Sequence, residues 1–336
     1  MVQRRAVSGL ILSCGIVLGA SGPLPAALVG NWDFGTGALT AVEALPGTLL
    51  QYLPDTPIYS LAGGTADPPP LAFATADAFG IASLGPAESL VMRMPDMRGR
   101  GSATGLMASF PLMTNGQLDG GAATKLNRYT LVMDVLLPSI SYEGPPTYLA
   151  LFQPRGNADA ALFVRKPTRQ YGAAIAYGGS VPPDTWHRLA MVMALDRSTS
   201  VARYETFIDG AKVGEIVWDQ IVVDSTRNEE LKTRDLVPDG AWSIAALADT
   251  LGLLPADRSG FFAFNDNSGE LGVAYVANLQ FRADALSSAE IAALGGPAAG
   301  PIPVPEPAAG LTALFGMAVV AAARRRVNVG RGSRTR

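Results

Sequence analysis

Oxygen ligands for a hard cation crowd one short stretch of this chain, FNDNSGEL, from Phe264 to Leu271. Asn265, Asp266, Asn267 and Glu270 offer carbonyl and carboxylate oxygens around Gly269. Calcium takes about six to eight such oxygens. Asp266, Glu270 and Asn265 are therefore candidate calcium ligands, to be completed by carboxylates from another loop. The same residue types build ordinary polar hairpin turns, and the spacing is not that of an EF-hand. The two readings stand side by side.

Other chemistries are less well supplied. His187 is the single histidine, so a zinc site built from several histidines is excluded. One histidine suffices for a serine triad, but no G-x-S-x-G elbow accompanies it. His187 follows Trp186 in an alternating apolar run, where a packed structural histidine is expected. Glycoside hydrolysis needs two carboxylates facing each other across a cleft. No E-x-D-x-x-E strand pattern is present, and Glu205 and Asp209 straddle a strand end and its turn. Tyr142, Tyr148, Tyr171 and Tyr177 can stack on sugar rings or simply pack a sandwich edge. The inventory predicts a chain that is not an enzyme.

The elements that must position these residues are short strands. NRYTLVMDVLLPS alternates, with Tyr129, Leu131, Met133, Val135 and Leu137 on one face. TWHRLAMVMALD places Trp186, Arg188, Ala190, Val192 and Ala194 on one face, and His187, Leu189, Met191, Met193 and Leu195 on the other. Both faces are largely apolar, which predicts a central strand covered on both sides. RYETFIDGAKVGEI reads as a hairpin around Asp209-Gly210. Further strands are expected in YLALFQP, DAALFVR, AWSIAAL, GFFAFND and GVAYVANLQFR. One short helix is expected in ALSSAEIAALGG. Ser287 and Glu290 would form its capping box, Ile291 and Leu294 would face the sheet, and Gly295 or Gly296 would end it. The Gly-, Pro- and Ala-rich region 41–109 is expected to hold the first strands, and 219–239 to form a charged insertion. Many short strands at this spacing predict an all-β, two-sheet antiparallel jelly-roll sandwich.

Charge is unevenly spread along the 336 residues. Between Leu28 and Pro305 there are 18 basic and 28 acidic side chains, a net charge of −10. An acidic body repels phosphate backbones, so nucleic acid is not an expected partner. The ends are basic and apolar. Residues 1–27 carry Arg4 and Arg5, then an apolar run, then small residues, the layout of a secretory signal peptide. The single cysteine, Cys14, lies within that run, so the exported chain would hold no thiol or disulfide. At the other end, residues 298–307 are a Pro-rich linker. An uncharged stretch, 308–323, is read as a short transmembrane helix, and 324–336 as a basic cytoplasmic tail.

This C-terminal order resembles the PEP-CTERM sorting signal of exported bacterial proteins. The match lies in Val304, Pro305, Glu306 and Pro307, then the apolar helix, then Arg324, Arg325 and Arg326. The resemblance implies an exosortase-type processing enzyme as partner and export through the inner membrane of a Gram-negative bacterium. Transient membrane anchoring by the C-terminal helix would follow, with a final place at the cell surface or in the exopolysaccharide matrix. The tail VNVGRGSRTR is longer than that pattern expects.

The middle of the chain resembles the laminin-G-like, concanavalin A-like domains of exported bacterial proteins. The tryptophan-led strand at Trp186, the Ile208-Asp209-Gly210 hairpin and the terminal RADALSSAEIAALGGP element carry the likeness. It is clearest over 127–297 and is extended back to Leu28, giving a domain over 28–297. It implies a jelly roll of two curved sheets and a non-catalytic domain that binds a glycan or a surface protein, often beside calcium. A carbohydrate-active enzyme of the glycoside hydrolase kind on the same fold is the alternative it implies.

Overall fold

The computed structural model describes residues 28–53, 70–86, 88–98, 105–116, 125–154, 160–173, 176–196, 201–217, 257–266 and 269–305. The leader over 1–27, the charged insertion, the strand expected in AWSIAAL, the helix over 308–323 and the basic tail lie outside these residues.

The strands in chain order are β1 (Leu28–Asp33), β2 (Glu43–Ala44), β3 (Leu49–Leu53), β4 (Ala72–Thr75), β5 (Leu90–Met94), β6 (Gly105–Pro111), β7 (Arg128–Leu136) and β8 (Tyr148–Gln153). Then come β9 (Leu162–Arg165), β10 (Gln170–Ala173), β11 (Ala176–Gly178), β12 (Trp186–Asp196), β13 (Val201–Ile208), β14 (Ala211–Val217), β15 (Arg258–Ala263) and β16 (Ala274–Arg282). Two short α-helices, α1 (Ala76–Phe79) and α2 (Ser288–Leu294), and two 3-10 turns, Phe34–Thr36 and Ser139–Tyr142, complete the described elements.

The strands form two antiparallel sheets, as the all-β expectation requires. The first runs β14-β13-β12-β7-β16-β1-β2, and β16 also pairs with β5, which carries β4. The long β16 thereby offers one edge to two partners: Asn278–Arg282 meet β1, and Ala274–Val276 meet β5. The second sheet runs β11-β10-β9-β8-β15-β6-β3.

Alternation decides what each face buries. Leu131 and Met133 of β7 and Leu189, Met191 and Met193 of β12 point between the sheets. They meet Phe110, Phe152 and Phe261 of the second sheet, and the Phe261 and Phe281 rings lie 4.5 Å apart. Each such side chain contributes about 1.5–3 kcal/mol by leaving water. The opposite face of β7 and β12 is covered too. Val132, Ala190 and Val192 pack under Leu286, Ile291, Leu294 and Ile302. The central, doubly covered strand read at Trp186–Asp196 is thus present.

The local expectations hold where sequence chemistry is strongest. Asp209 and Gly210 both have positive φ, 51° and 81°, and turn β13 into β14. In α2 the Ser287 side chain accepts from the Glu290 amide while the Glu290 carboxylate accepts from the Ser287 amide, and Gly295 stops the helix. Region 41–109 supplies β2 to β6, as expected, together with α1.

At one side the sandwich closes on itself. A Cβ on Gly178 of β11 would lie 1.7 Å from the Val213 carbonyl oxygen of β14. The two edge backbones touch, and only glycine leaves room for it.

The Pro-rich arm is not a free spacer over its first residues. The Ile302 side chain is 1 % exposed against the outer face of the first sheet. Its carbonyl accepts hydrogen bonds from Asn31 Nδ2 at 2.9 Å and Gln280 Nε2 at 3.1 Å. Asn278 Nδ2 reaches the Ala298 carbonyl at 3.1 Å. Buried amides need such partners, and strand residues of β1 and β16 find theirs in the arm. A Pro-rich composition predicts stiffness, whereas burial of Ile302 decides that this stretch docks.

Candidate functional site

The candidate calcium ligands Asn265, Asp266 and Glu270 lie just after β15, where Asp266 takes part in internal hydrogen bonds. Asn265 and Asp266 follow β15 and are fully buried. Asp266 Oδ1 accepts from the Ala160 amide at 3.1 Å, and Oδ2 from the Glu270 amide at 3.4 Å. The carboxylate staples two loops together. Asn267 lies outside the described residues. No group of three or more His, Cys, Asp or Glu side chains gathers as a metal cage among the described residues.

His187 pairs through Nδ1 with Asp209 Oδ2 at 2.8 Å, and Asp209 Oδ1 accepts from the Arg188 amide at 2.8 Å. This fixes the start of β12 to the β13–β14 turn. His187 Nε2 is buried with no hydrogen-bond partner, so no hydroxyl nucleophile is bonded to it as a triad would require.

The buried carboxylates are likewise structural. Asp134 is fully buried and receives Arg188 Nε at 2.7 Å and Nη2 at 2.8 Å, plus Asn278 Nδ2 at 3.0 Å. Burial pushes the Asp134 carboxyl above its ordinary range, against the pull of Arg188 and Asn278. Glu205 lies 3.3 Å from Lys212 Nζ and 3.3 Å from Arg203 Nε, and Asp196 lies 3.4 Å from Arg128.

The four tyrosines divide. Tyr171 is fully buried in the inter-sheet core. Tyr142 donates its hydroxyl to the Val181 carbonyl at 2.6 Å, and burial raises its phenol well above the usual range, with Arg169 opposing. Tyr148 and Tyr177 come together on the outer face of the second sheet, ring centroids 6.0 Å apart, with Phe163 5.6 Å from Tyr148. Register explains the grouping. Tyr148 pairs with Arg165, Phe163 stands two residues along β9, and β10 carries β11 on its far side. Both tyrosines are partly exposed.

A cleft of about 270 Å³ opens beside Tyr148, at the end where β8 begins and β9 finishes. Tyr142, Pro145, Pro146, Thr147 and Pro167 wall it, with Lys166 on its floor. The Lys166 amide bonds the Thr147 carbonyl at 2.9 Å, extending the β8–β9 pairing by one step. Its Nζ donates to the Glu143 and Gly144 carbonyls at 3.3 and 3.2 Å. Burial, and after it the Arg98 charge, push the Lys166 ammonium down, while Asp96 and Glu270 oppose them. Arg98 chelates Asp96 through Nε at 2.9 and 2.8 Å and also donates to the Glu143 carbonyl at 3.1 Å. Glu270, a candidate calcium ligand, also lies within electrostatic reach of this corner.

A second cleft of about 270 Å³ lies on the first sheet between Asp33, Ser83, Ser89, Asn278 and Gly300. Asp33 Oδ1 holds the Gly35 amide at 2.8 Å and Ser83 bonds Asp77, while among the described residues the buried Asn278 Oδ1 has no hydrogen-bond partner.

Sequence reasoning found Tyr148 and Tyr177 but not Lys166, Arg98 or Asp96. The available signal was local: YEGPPTY and RKPTR both combine prolines with tyrosines or cations. Only the fold joins them. Val304 and Pro305 stand at the end of the described arm, Val304 exposed. Glu306, Pro307, Arg324, Arg325 and Arg326 lie outside the described residues, and among those described no helix is long and apolar enough to cross a membrane.

No family model matches the chain, and no curated protein matches it. Among solved structures it is similar to domain 4 of AbnA, a GH43 extracellular arabinanase from Geobacillus stearothermophilus, in complex with arabinotriose. Identity is 12%, TM-score 0.38, with 81% of this chain and 100% of that one covered. The botulinum neurotoxin type G receptor binding domain matches at 8% identity and TM-score 0.39, over 80% of this chain and 50% of the toxin domain. Trypanosoma rangeli sialidase matches at 16% identity and TM-score 0.29, over 73% and 35%. The chain thus spans about half of the toxin domain and about a third of the sialidase. Scores this low assign neither fold nor function.

Proposed function

We propose that this chain is an exported glycan-binding β-sandwich, non-catalytic, that works at the bacterial surface or in an exopolysaccharide matrix. The observation that carries the binding role is the outer face of the second sheet. Tyr148 and Tyr177 present partly exposed rings side by side, braced by Phe163, next to a proline-walled cleft. Sugar rings stack their C–H faces on such aromatic surfaces, and a rigid wall lowers the ordering cost of binding. The buried carboxylates are engaged in holding the fold, which supports binding rather than hydrolysis.

The export part rests on the two ends of the sequence. Their geometry is compatible with it. Among the described residues Ile302 is the last one buried, Pro303 still offers its carbonyl to Gln280 at 3.4 Å, and the Val304–Pro307 motif follows at once in sequence. Processing there by an exosortase-type enzyme would release the sandwich with its arm intact.

The test is binding of the purified full chain to a panel of immobilised polysaccharides, with Tyr177→Ala alongside. The expected result is saturable binding to at least one glycan, weakened about fivefold to twentyfold by the substitution, the worth of one stacked ring. Binding to no glycan on the panel would overturn the reading.

A further inference from the structure

We propose that the cleft floored by Lys166 is a subsite for an acidic sugar, taking the carboxylate of a uronic acid residue within a polysaccharide. The inference rests on the glycan-binding reading and adds the charge of the ligand to it.

The walls are Tyr142, Pro145, Pro146 and Pro167, flat apolar surfaces suited to the ring of a sugar. The one charged side chain lining the cleft is Lys166, and that residue is 6 % exposed. An ammonium has three N–H donors. Two of them go to the carbonyls of Glu143 and Gly144, which are neutral acceptors. Among the described residues no carboxylate lies within salt-bridge distance of Lys166, whereas its neighbour Arg98 is neutralised by direct chelation of Asp96. A buried cation held only by carbonyl dipoles is costly, and an incoming anion relieves that cost.

The surroundings add to this. Arg169 stands exposed close enough to act on Tyr142, and Arg98 reaches over the same loop to the Glu143 carbonyl. The acidic groups nearby are largely engaged. Asp184 is bound by the Ser139 amide at 3.0 Å and by the Ser139 hydroxyl, and Asp96 by Arg98. Glu143 is exposed on the rim and opposes an anion there, and Glu270 acts on Lys166 from the far side. The floor still favours one negative charge, in a body that is otherwise strongly acidic. Tyr148 directly follows Thr147 of the cleft wall and stands beside Tyr177, so neighbouring sugars of the same chain would stack there next to the uronate.

The test compares an oligogalacturonate with the same oligosaccharide after its carboxyls are reduced to alcohols, so that only charge changes. The full chain is expected to bind the acidic form about tenfold or more tighter, as one charge-assisted contact provides. Lys166→Met is expected to erase the preference, so that the acidic and reduced forms bind alike. Equal binding of both forms by the wild-type chain overturns the acidic subsite and leaves glycan binding standing. Binding of neither form, nor of any glycan on the panel, removes both. Should Lys166→Met fail to fold, the wild-type preference is measured in 10 mM and 500 mM salt, conditions chosen to span about 30 Å to a few ångströms of screening length. A preference that shrinks in high salt supports the assignment, and one that does not change overturns it.

Discussion

Arg188 shows how much of this molecule is held by single side chains. Its guanidinium grips Asp134 with two hydrogen bonds and also reaches the Leu294 carbonyl at the end of α2, all at 3 % exposure or less for the pair. Breaking one side of such a pair strands a buried charge. Arg188→Met is therefore expected to destabilise the chain by about 3–5 kcal/mol in chemical denaturation. Arg188→Met with Asp134→Leu should recover most of it. Equal loss in the single and double variants would contradict the pairing. The Asp96–Arg98 pair behaves differently because it is open to solvent. Burial raises the Asp96 carboxyl, and the hydrogen bonds and charge of Arg98 outweigh that, leaving it below the ordinary 3.8. A depressed carboxyl stabilises the fold above its unfolded value, and the contribution is lost as pH falls through the folded one. The melting-temperature gap between wild type and Asp96→Asn should thus be constant from pH 7 to about 5 and close below about 3.8. None of these pairs was readable in sequence. The alternation placed Arg188 beside Trp186 and Ala190 on one face, but its partner is 54 residues away. Long-range pairing of two polar residues leaves no periodic trace.

At the scale of elements, strands declare themselves through alternation and turns through their special residues, so β7, β12, the β13–β14 hairpin and α2 were all legible. The cleft was not. Its walls come from the Tyr142–Thr147 loop, its floor from the end of β9, and its flank from the segment after β5. Each piece reads as an ordinary loop until β8 and β9 pair and bring them together. The docking of the first part of the Pro-rich arm was not legible for a related reason: composition reports a linker, while Ile302 and the amides of Asn31 and Gln280 decide attachment. The closing edge gives a sharp prediction. Gly178→Ala sets a methyl against the Val213 carbonyl, and strand β11 must part from β14 to admit it. The expected cost is about 2–3 kcal/mol. A fully stable Gly178→Ala variant would mean that the two edges do not meet.

For the whole molecule, the arm and the binding face lie on different sheets. The arm covers the outer face of the first sheet, the rings occupy the outer face of the second, and the cleft lies at the end where β8 begins and β9 finishes. Under the proposed function, processing at the C-terminus would then proceed without touching the ligand. Ile302→Ala should lower stability by about 2–4 kcal/mol while leaving glycan affinity unchanged for the folded fraction. A parallel loss of affinity would couple the two faces and contradict this separation. The most direct test of the central claim is hydrogen exchange on the full chain with and without its bound oligosaccharide. The account predicts slowed exchange confined to residues 142–148 and 163–178, around Tyr148, Lys166 and Tyr177. Protection that falls instead on the first sheet or on the 264–271 loop, with these segments unchanged, would contradict it.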